Sequence, residues 1–266
     1  MKLSIITINL NNKAGLQKTI DSVVAQTYKD FEWIIIDGGS TDGSRELIEK
    51  YAEYISYWVS EPDKGIYNGM NKGIRASNGE YLLFLNSGDY LYEDNVLERI
   101  IPLLQGKDFY VGKELRDNGW LRDLIVDDTA ELCRCILLCY IPHQSTFIHK
   151  RIFEIYGMYD EAKQLISDWM LFYNALLLSM ATIEKIPVIV SVFDTLGRST
   201  SQYGVCDTEK YEFLAKWPRL NHITDFYRSN YDIIKALKSS RLVFFLFRIY
   251  YFFYRNIRKA NKAYQP

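Results

Sequence analysis

Residues 81–89 read YLLFLNSGD. The apolar run is rich enough to be a buried strand, and it stops abruptly at Asn86-Ser87-Gly88-Asp89. In a parallel sheet those four residues fall where the strand delivers its C-terminal end, which is where open α/β sheets bind ligands. The small residues allow close backbone approach, and Asp89 is a hard-oxygen ligand suited to Mg²⁺ or Mn²⁺. An ordinary Asn/Ser/Gly/Asp turn would look the same in isolation. The surrounding sequence has to decide between the two.

The first ninety residues alternate strand and helix signals with short links. Residues 3–9 form a compact β-branched run, and 14–26 carry helical periodicity through Leu16, Ile20, Val23 and Val24. FEWIIID (31–37) predicts a second buried strand closed by Gly38-Gly39, and Ser40-Thr41-Asp42-Gly43 opens a helix over about 44–54. A short strand at 57–60, a helix at 66–77 and the 81–86 strand complete the series. A β-α-β-α-β-α-β order predicts an α/β fold, a mostly parallel sheet with helices on its faces. Beyond a helix at 95–104 the pattern loosens. Short strands are expected around Asp117-Asn118-Gly119, a strand region over 141–149, and a short helix over 151–156. A buried helix over 167–180, a strand over 182–192, a loop over 194–204 and a mostly helical stretch over 211–262 follow.

Polar groups stand where each N-terminal strand ends: Thr7 and Asn9, then Asp37, then Glu61-Pro62-Asp63-Lys64-Gly65, then Asn86 and Asp89. Each has a local explanation, since Asp37 could cap its turn and Asp63 the next helix. Four on one edge are better explained by a polar ligand lying across it.

Three segments, TINLNNKAGLQKTIDSVVAQTYKDFEWIIIDGGSTDGS, SEPDKGIYNGMNKGIRASNGEYLLFLNSGDYL and PHQSTFIHKRIF with SDWML, resemble the GT-A glycosyltransferases of family 2 over roughly residues 1–200. The nearest likeness is to bacterial enzymes that assemble extracellular, capsular and colanic-acid-type polysaccharides. The resemblance implies a GT-A, Rossmann-like catalytic domain over 1–204 and a helical extension over 205–266. It implies that Thr7 and Asn9 contact the nucleotide, that Asp37 pairs with a uracil-type base, and that Asp63 and Lys64 border the nucleotide. The family's metal motif reads Asp-x-Asp or Asp-Asp, where this chain has Asn86-Ser87-Gly88-Asp89. Asn86 keeps an oxygen and a donor for a ribose hydroxyl, and Asp89 becomes the metal ligand for Mn²⁺ or Mg²⁺. The acid before an aromatic at a helix start, here Asp168 in Ser167-Asp168-Trp169, is implied as catalytic base; a first-turn acid stabilised by the helix dipole is the plainer alternative. His143 and Gln144 in PHQS would line the acceptor or phosphate side. Arg198 would close over the diphosphate, although relatives carry Gly-Gly-x-Ser there.

The bulk composition is that of a globular protein: 266 residues, 48% hydrophobic and 24% charged. The net charge of −1 hides an asymmetry. From Ile233 onward there are eight Lys or Arg and no acid, leaving 24 basic against 33 acidic residues in the body. Arg241, Arg248, Arg255 and Lys262 share one helical stripe, opposite Leu246, Tyr250, Phe253 and Ile257. The run LVFFLFRIYYFFY (242–254) is too short and too charged to span a bilayer but is composed like a helix lying in a membrane interface. A helix docked on the domain, or one joining a homodimer, is the competing reading. Cys133, Cys135, Cys139 and Cys206 are read as reduced thiols, and the start lacks the core of a signal peptide. The expected location is therefore cytoplasmic, peripheral on the inner face of the membrane.

Together these readings predict an inverting, metal-assisted transferase. It would move a sugar from a nucleotide-sugar, UDP-linked by preference, to a saccharide acceptor carried on a polyprenyl diphosphate. The alternative is a membrane-docked nucleotide-sugar-binding protein with a decayed metal site, for which Gly88 argues. A dehydrogenase and a P-loop enzyme are excluded by the missing glycine-rich motifs, and nucleic acid by the acidic body.

Overall fold

The computed structural model describes residues 1–117, 121–122, 141–179, 181–195 and 203–216. Arg198, Cys133, Cys135, Cys139 and the aromatic run over 242–254 lie outside the described residues. The chain divides into two compact units, residues 1–206 and 207–266.

Within the first unit, strands β1 (Leu3–Asn9), β2 (Glu32–Asp37), β3 (Tyr57–Ser60) and β4 (Tyr81–Phe84) alternate with helices α1 (Lys13–Val24), α2 (Ser44–Lys50) and α3 (Ile66–Ala76). All of β1, β2 and β4 is buried, which explains why those runs are continuously apolar rather than alternating. Then come β5 (Tyr90–Leu91), α4 (Val96–Ile100), β6 (Phe109–Arg116), β7 (Leu121–Arg122), β8 (Thr146–His149), α5 (Arg151–Tyr156), α6 (Ser167–Phe172) and β9 (Ile183–Phe193). Helix α7 covers Tyr203–Ala215.

The sheet order is β3-β2-β1-β4-β8-β6-β9-β5, with β7 paired to β6. Strands β1, β2, β3 and β4 are mutually parallel. Strand β8 is antiparallel to both β4 and β6, and β9 is parallel to β6. Hence β6 and β9 point the same way as β4, and their C-terminal ends share its edge. The one central strand that runs backwards, β8, does so because its lead-in, the 3-10 turn His143–Ser145, starts at that edge. The expectation of a mostly parallel sheet with flanking helices holds, with β8 as the interruption.

Leu3 and Ile5 of β1, Trp33 and Ile35 of β2, and Leu83 of β4 form one core with Leu16, Ile20 and Val23 of α1. On the opposite face α3 sits hard against β1, because a Cβ at Gly73 would lie 2.4 Å from Ile6 Cγ2. A larger residue there would lift α3 off the sheet, and Tyr67 at its N-terminal end with it.

The predicted helix over 167–180 proves to be α-helical only to Phe172 and π-helical over Tyr173–Leu178. The two-residue strand β5 has no counterpart in the sequence reading. It exists because the turn after β4 crosses the edge to pair antiparallel with β9 at Tyr90↔Val192.

Candidate active site

Strand register builds the site. Asn9, Asp37 and Ser60 are partners in one rung at the C-terminal ends of β1, β2 and β3. Asp37 is fully buried, and its carboxylate accepts four hydrogen bonds. Oδ1 takes Asn9 Nδ2 (2.7 Å) and the Ser40 hydroxyl (2.5 Å); Oδ2 takes the Ser40 backbone N–H (2.9 Å) and the Ser60 hydroxyl (2.6 Å). Burial alone would push its pKa up, but these donors overcome it and hold the carboxyl below its ordinary value. The β1–α1 loop ties this end to the next. Asn11 receives the Thr41 N–H at 2.8 Å, and Asn12 Nδ2 donates to the Ser87 carbonyl at 3.0 Å.

At that second end, the β4 run finishes at Asn86 and turns through Gly88, whose φ of +108° a side chain would strain. Asp89 is 6% exposed and accepts the backbone N–H of Asp194 at 3.0 Å. The Asp194 carboxylate lies against Gly88, where a Cβ would meet Oδ2 at 2.8 Å. Burial pushes Asp89 up to about 7, with the charges of Glu114 and Asp194 adding to it and the Asp194 N–H and His143 opposing. Gly88 and Asp194 border an open cleft of about 460 Å³ shared with Lys18, Asp21, Asp94 and Asp117; neither Asp37 nor Asp168 lines it.

The third group centres on Asp168, in the first turn of α6. Its Oδ1 accepts the Tyr67 hydroxyl at 2.8 Å, and its Oδ2 lies 3.2 Å from His143 Nδ1. His143 Nε2 lies 3.4 Å from Asn86 Nδ2. Burial would raise Asp168, yet the hydrogen bond and charge of His143, the Tyr67 hydroxyl and the Trp169 N–H hold it below the ordinary value. Burial would lower His143, and the bond and charge of Asp168, with the charges of Asp89 and Glu114, raise it instead. Tyr67 is itself packed on Tyr159, ring centroids 5.5 Å apart.

The sequence-predicted residues thus divide. Asn9, Asp37, Asn86, Asp89, His143 and Asp168 meet along one sheet edge. Thr7 does not: it is fully buried, deeper on the β1 face that it shares with Asn9, and its hydroxyl accepts the Trp33 indole N–H at 3.1 Å. Asp63 is clamped by Lys72 at 2.6 Å and lies against Gly38 and Gly69, while Lys64 is exposed. Gln144 is fully buried and donates to Glu114, leaving its Oε1 buried with no hydrogen-bond partner.

Three residues at this edge went unread. Glu114 is fully buried at a core-facing position of β6, a signal available in the alternation of FYVGKELR. Asp194 comes directly after the buried last four residues of β9, much as Asp37 ends the buried β2, so the same rule would have found it. Tyr67 carried no signal beyond helical spacing.

Six parallel strands ending in one polar row, with a reversed strand inserted and helices on both faces, define a GT-A type α/β fold. The model of "Glycosyl transferase family 2" matches residues 4–120. An uncharacterized glycosyltransferase of Mycobacterium tuberculosis is 32% identical over 202 residues, 73% of this chain and 76% of its own length. A PGL/p-HBAD biosynthesis glycosyltransferase of Mycobacterium bovis is 30% identical over 176 residues, 62% of this chain. The chain spans 66% of that relative's length. Among solved structures, S. aureus TarS 1–349 in complex with UDP-GlcNAc aligns with a TM-score of 0.64 at 19% identity, over 78% of this chain and 65% of TarS 1–349. The mannosyltransferase PcManGT from Pyrobaculum calidifontis, in complex with GDP-Man and Mn²⁺, aligns at 0.59 and 17% over 82% and 64%. The chain belongs to glycosyltransferase family 2.

Proposed function

We propose that this protein moves a sugar from a UDP-sugar to a hydroxyl of a saccharide acceptor with inversion, Asp168 acting as the base. The supporting observation is the single row of polar groups along one sheet edge, running from Asp37 and Asn9 through Asn86 and Asp89 to His143 and Asp168. In this reading the nucleoside lies over Asn9 and Asp37, bordered by the loop of Asp63 and Lys64. Asp37 has no vacant acceptor position, so a base N–H takes the place of one serine hydroxyl, Ser60 being at the rim. The diphosphate lies at the turn of Asn86 and Asp89, with Arg198 closing over it.

The residues fit a divalent cation. Asp89 and Asp194 supply hard carboxylate oxygens, and among the described residues no group of three or more His, Cys, Asp or Glu forms a protein cage. Mg²⁺-type sites use one or two carboxylates and complete themselves with substrate phosphates, so a two-carboxylate site suits Mn²⁺ or Mg²⁺ on a diphosphate. When bound, such an ion supplies Lewis-acid stabilisation of the departing diphosphate.

Transfer itself is one displacement. The acceptor oxygen bonds to the anomeric carbon as the bond from that carbon to the diphosphate oxygen breaks, the electron pair leaving with UDP. The acceptor proton passes to Asp168, which is ionised and held by Tyr67 and His143 in a fixed orientation.

For the acceptor, the basic and aromatic sequence of residues 242–254 supports a lipid-linked saccharide at an anionic membrane surface, in surface polysaccharide assembly. Among the described residues no helix is long and apolar enough to cross a membrane.

The test is UDP release from a panel of UDP-sugars with Mn²⁺ or Mg²⁺. Metal-dependent turnover of at least one donor is expected. Intact UDP binding with no turnover of any donor, with and without acceptor, would favour the binding-module reading instead.

A further inference from the structure

Four side chains form one unbroken chain across the site. Tyr67 donates to Asp168, Asp168 faces His143 Nδ1, and His143 Nε2 faces the amide of Asn86. An ionised carboxylate is acceptor only, so Nδ1 must carry a hydrogen. Nε2 then has two options. As a lone pair it accepts from Asn86 Nδ2, the arrangement seen, and Asn86 Oδ1 is left buried with no partner. As an N–H it needs an oxygen opposite, which Asn86 supplies by turning its amide over. The charge on His143 and the face of Asn86 are therefore one two-state element. A carboxylate at position 86 would have no such choice. It would sit with Asp168 on either side of the imidazole and lock it as a cation.

We propose that His143 is a positioning residue that couples the donor-side amide of Asn86 to the orientation and charge environment of Asp168, and that asparagine rather than aspartate at position 86 keeps this coupling reversible. This rests on the reading of Asp168 as base. Asp168 from α6 and Asn86 from the turn after β4 face His143 directly, Asp89 from that turn and Glu114 from β6 act on it through their charges, and Tyr67 of α3 reaches it through Asp168. Three of these are carboxylates, and although Glu114 is also paired with Arg116 Nε at 3.4 Å, the imidazole is the positive group facing Asp168 that titrates. With His143 neutral, Asp168 is the more basic and Asn86 keeps its NH₂ toward the imidazole. With His143 charged, Asp168 is a weaker base and Asn86 turns its oxygen to Nε2.

The chain holds only three histidines, His143, His149 and His222, so the ring resonances of the full-length protein are separable by NMR. The His143 titration is followed in wild type, Asn86→Asp and Asp168→Asn, alongside the pH profile of kcat. The expected result is a midpoint raised by one unit or more in Asn86→Asp and lowered by one or more in Asp168→Asn. The limb of the kcat profile should move upward with Asn86→Asp. His143→Gln, which keeps a donor near Asp168, should lower kcat 10- to 100-fold, leave the donor KM within about threefold and abolish that limb. A His143 midpoint unmoved by both flanking substitutions, or a pH limb surviving in His143→Gln, overturns the proposal. Full transfer by Asp168→Asn instead defeats the base assignment, while the titration shifts still report the coupling.

Discussion

Asp89→Asn should stabilise the metal-free protein at neutral and alkaline pH while removing its metal-dependent donor binding. Asp89 is 6% exposed, and its pKa stands at about 7 against an ordinary 3.8. For an acid whose folded value is raised, ionisation is a penalty the unfolded chain does not carry. That penalty is absent below about pH 4, grows as pH rises through the interval, and is complete above about pH 7. A gap of roughly three units at 1.36 kcal/mol each sets an upper bound near 4 kcal/mol. Relaxation around a buried carboxylate reduces this, and an asparagine Oδ1 can still accept the Asp194 N–H. A gain of about 1–3 kcal/mol at pH 8 and close to zero at pH 4 is expected. The assay is urea unfolding of both proteins in chelator at several pH values. Adding Mn²⁺ and UDP should then stabilise wild type and leave the variant unchanged. A variant less stable than wild type at pH 8 in chelator, or a difference that does not depend on pH, would mean that ionising Asp89 carries no burial penalty.

Other outcomes follow from the same geometry. Asp37→Asn puts an NH₂ where two of four donors now point, and should cost about 2–4 kcal/mol in urea unfolding as well as weaken UDP binding. Since Asp37 is held below its ordinary value, the stability it confers is present above about pH 4 and disappears on further acidification. Gly88→Ala must adopt a strained backbone and displace the Asp194 carboxylate, so it should lose about 1–3 kcal/mol and weaken Mn²⁺ binding in calorimetry. Truncation at Ser239 should leave UDP binding intact and abolish cosedimentation with anionic liposomes; unchanged liposome binding by a folded truncation would remove the membrane role.

Much of the N-terminal half was legible because its strands are buried on both faces and leave uninterrupted apolar runs. Residues 3–9 and 57–60 coincide with β1 and β3, and 31–37 and 81–86 differ from β2 and β4 only at their ends. What the sequence could not convey was which side chains already have partners within the fold. Thr7 and Asn9 both end β1, yet one faces Trp33 and the other Asp37, two residues apart on the same face but at different depths. Asp37 reads as an open ligand for a base and is instead saturated by Ser40 and Ser60, contacts made by a turn and by a neighbouring strand. The meeting of Asn86, His143 and Asp168 depends on β8 running backwards, and no local pattern in PHQSTFIH sets strand direction. Helix α6 stops being α-helical at Phe172 although LFYNALLL is apolar enough to continue.

The most direct measurement is a crystal structure with UDP and Mn²⁺ bound. The uracil is expected over Asn9 and Asp37, the diphosphate and metal at Asp89, and the Asp168 carboxylate facing the space beyond the β-phosphate where a sugar would lie. A nucleotide seated away from that edge, or Asp168 on the far side of the diphosphate from the sugar position, would contradict that placement.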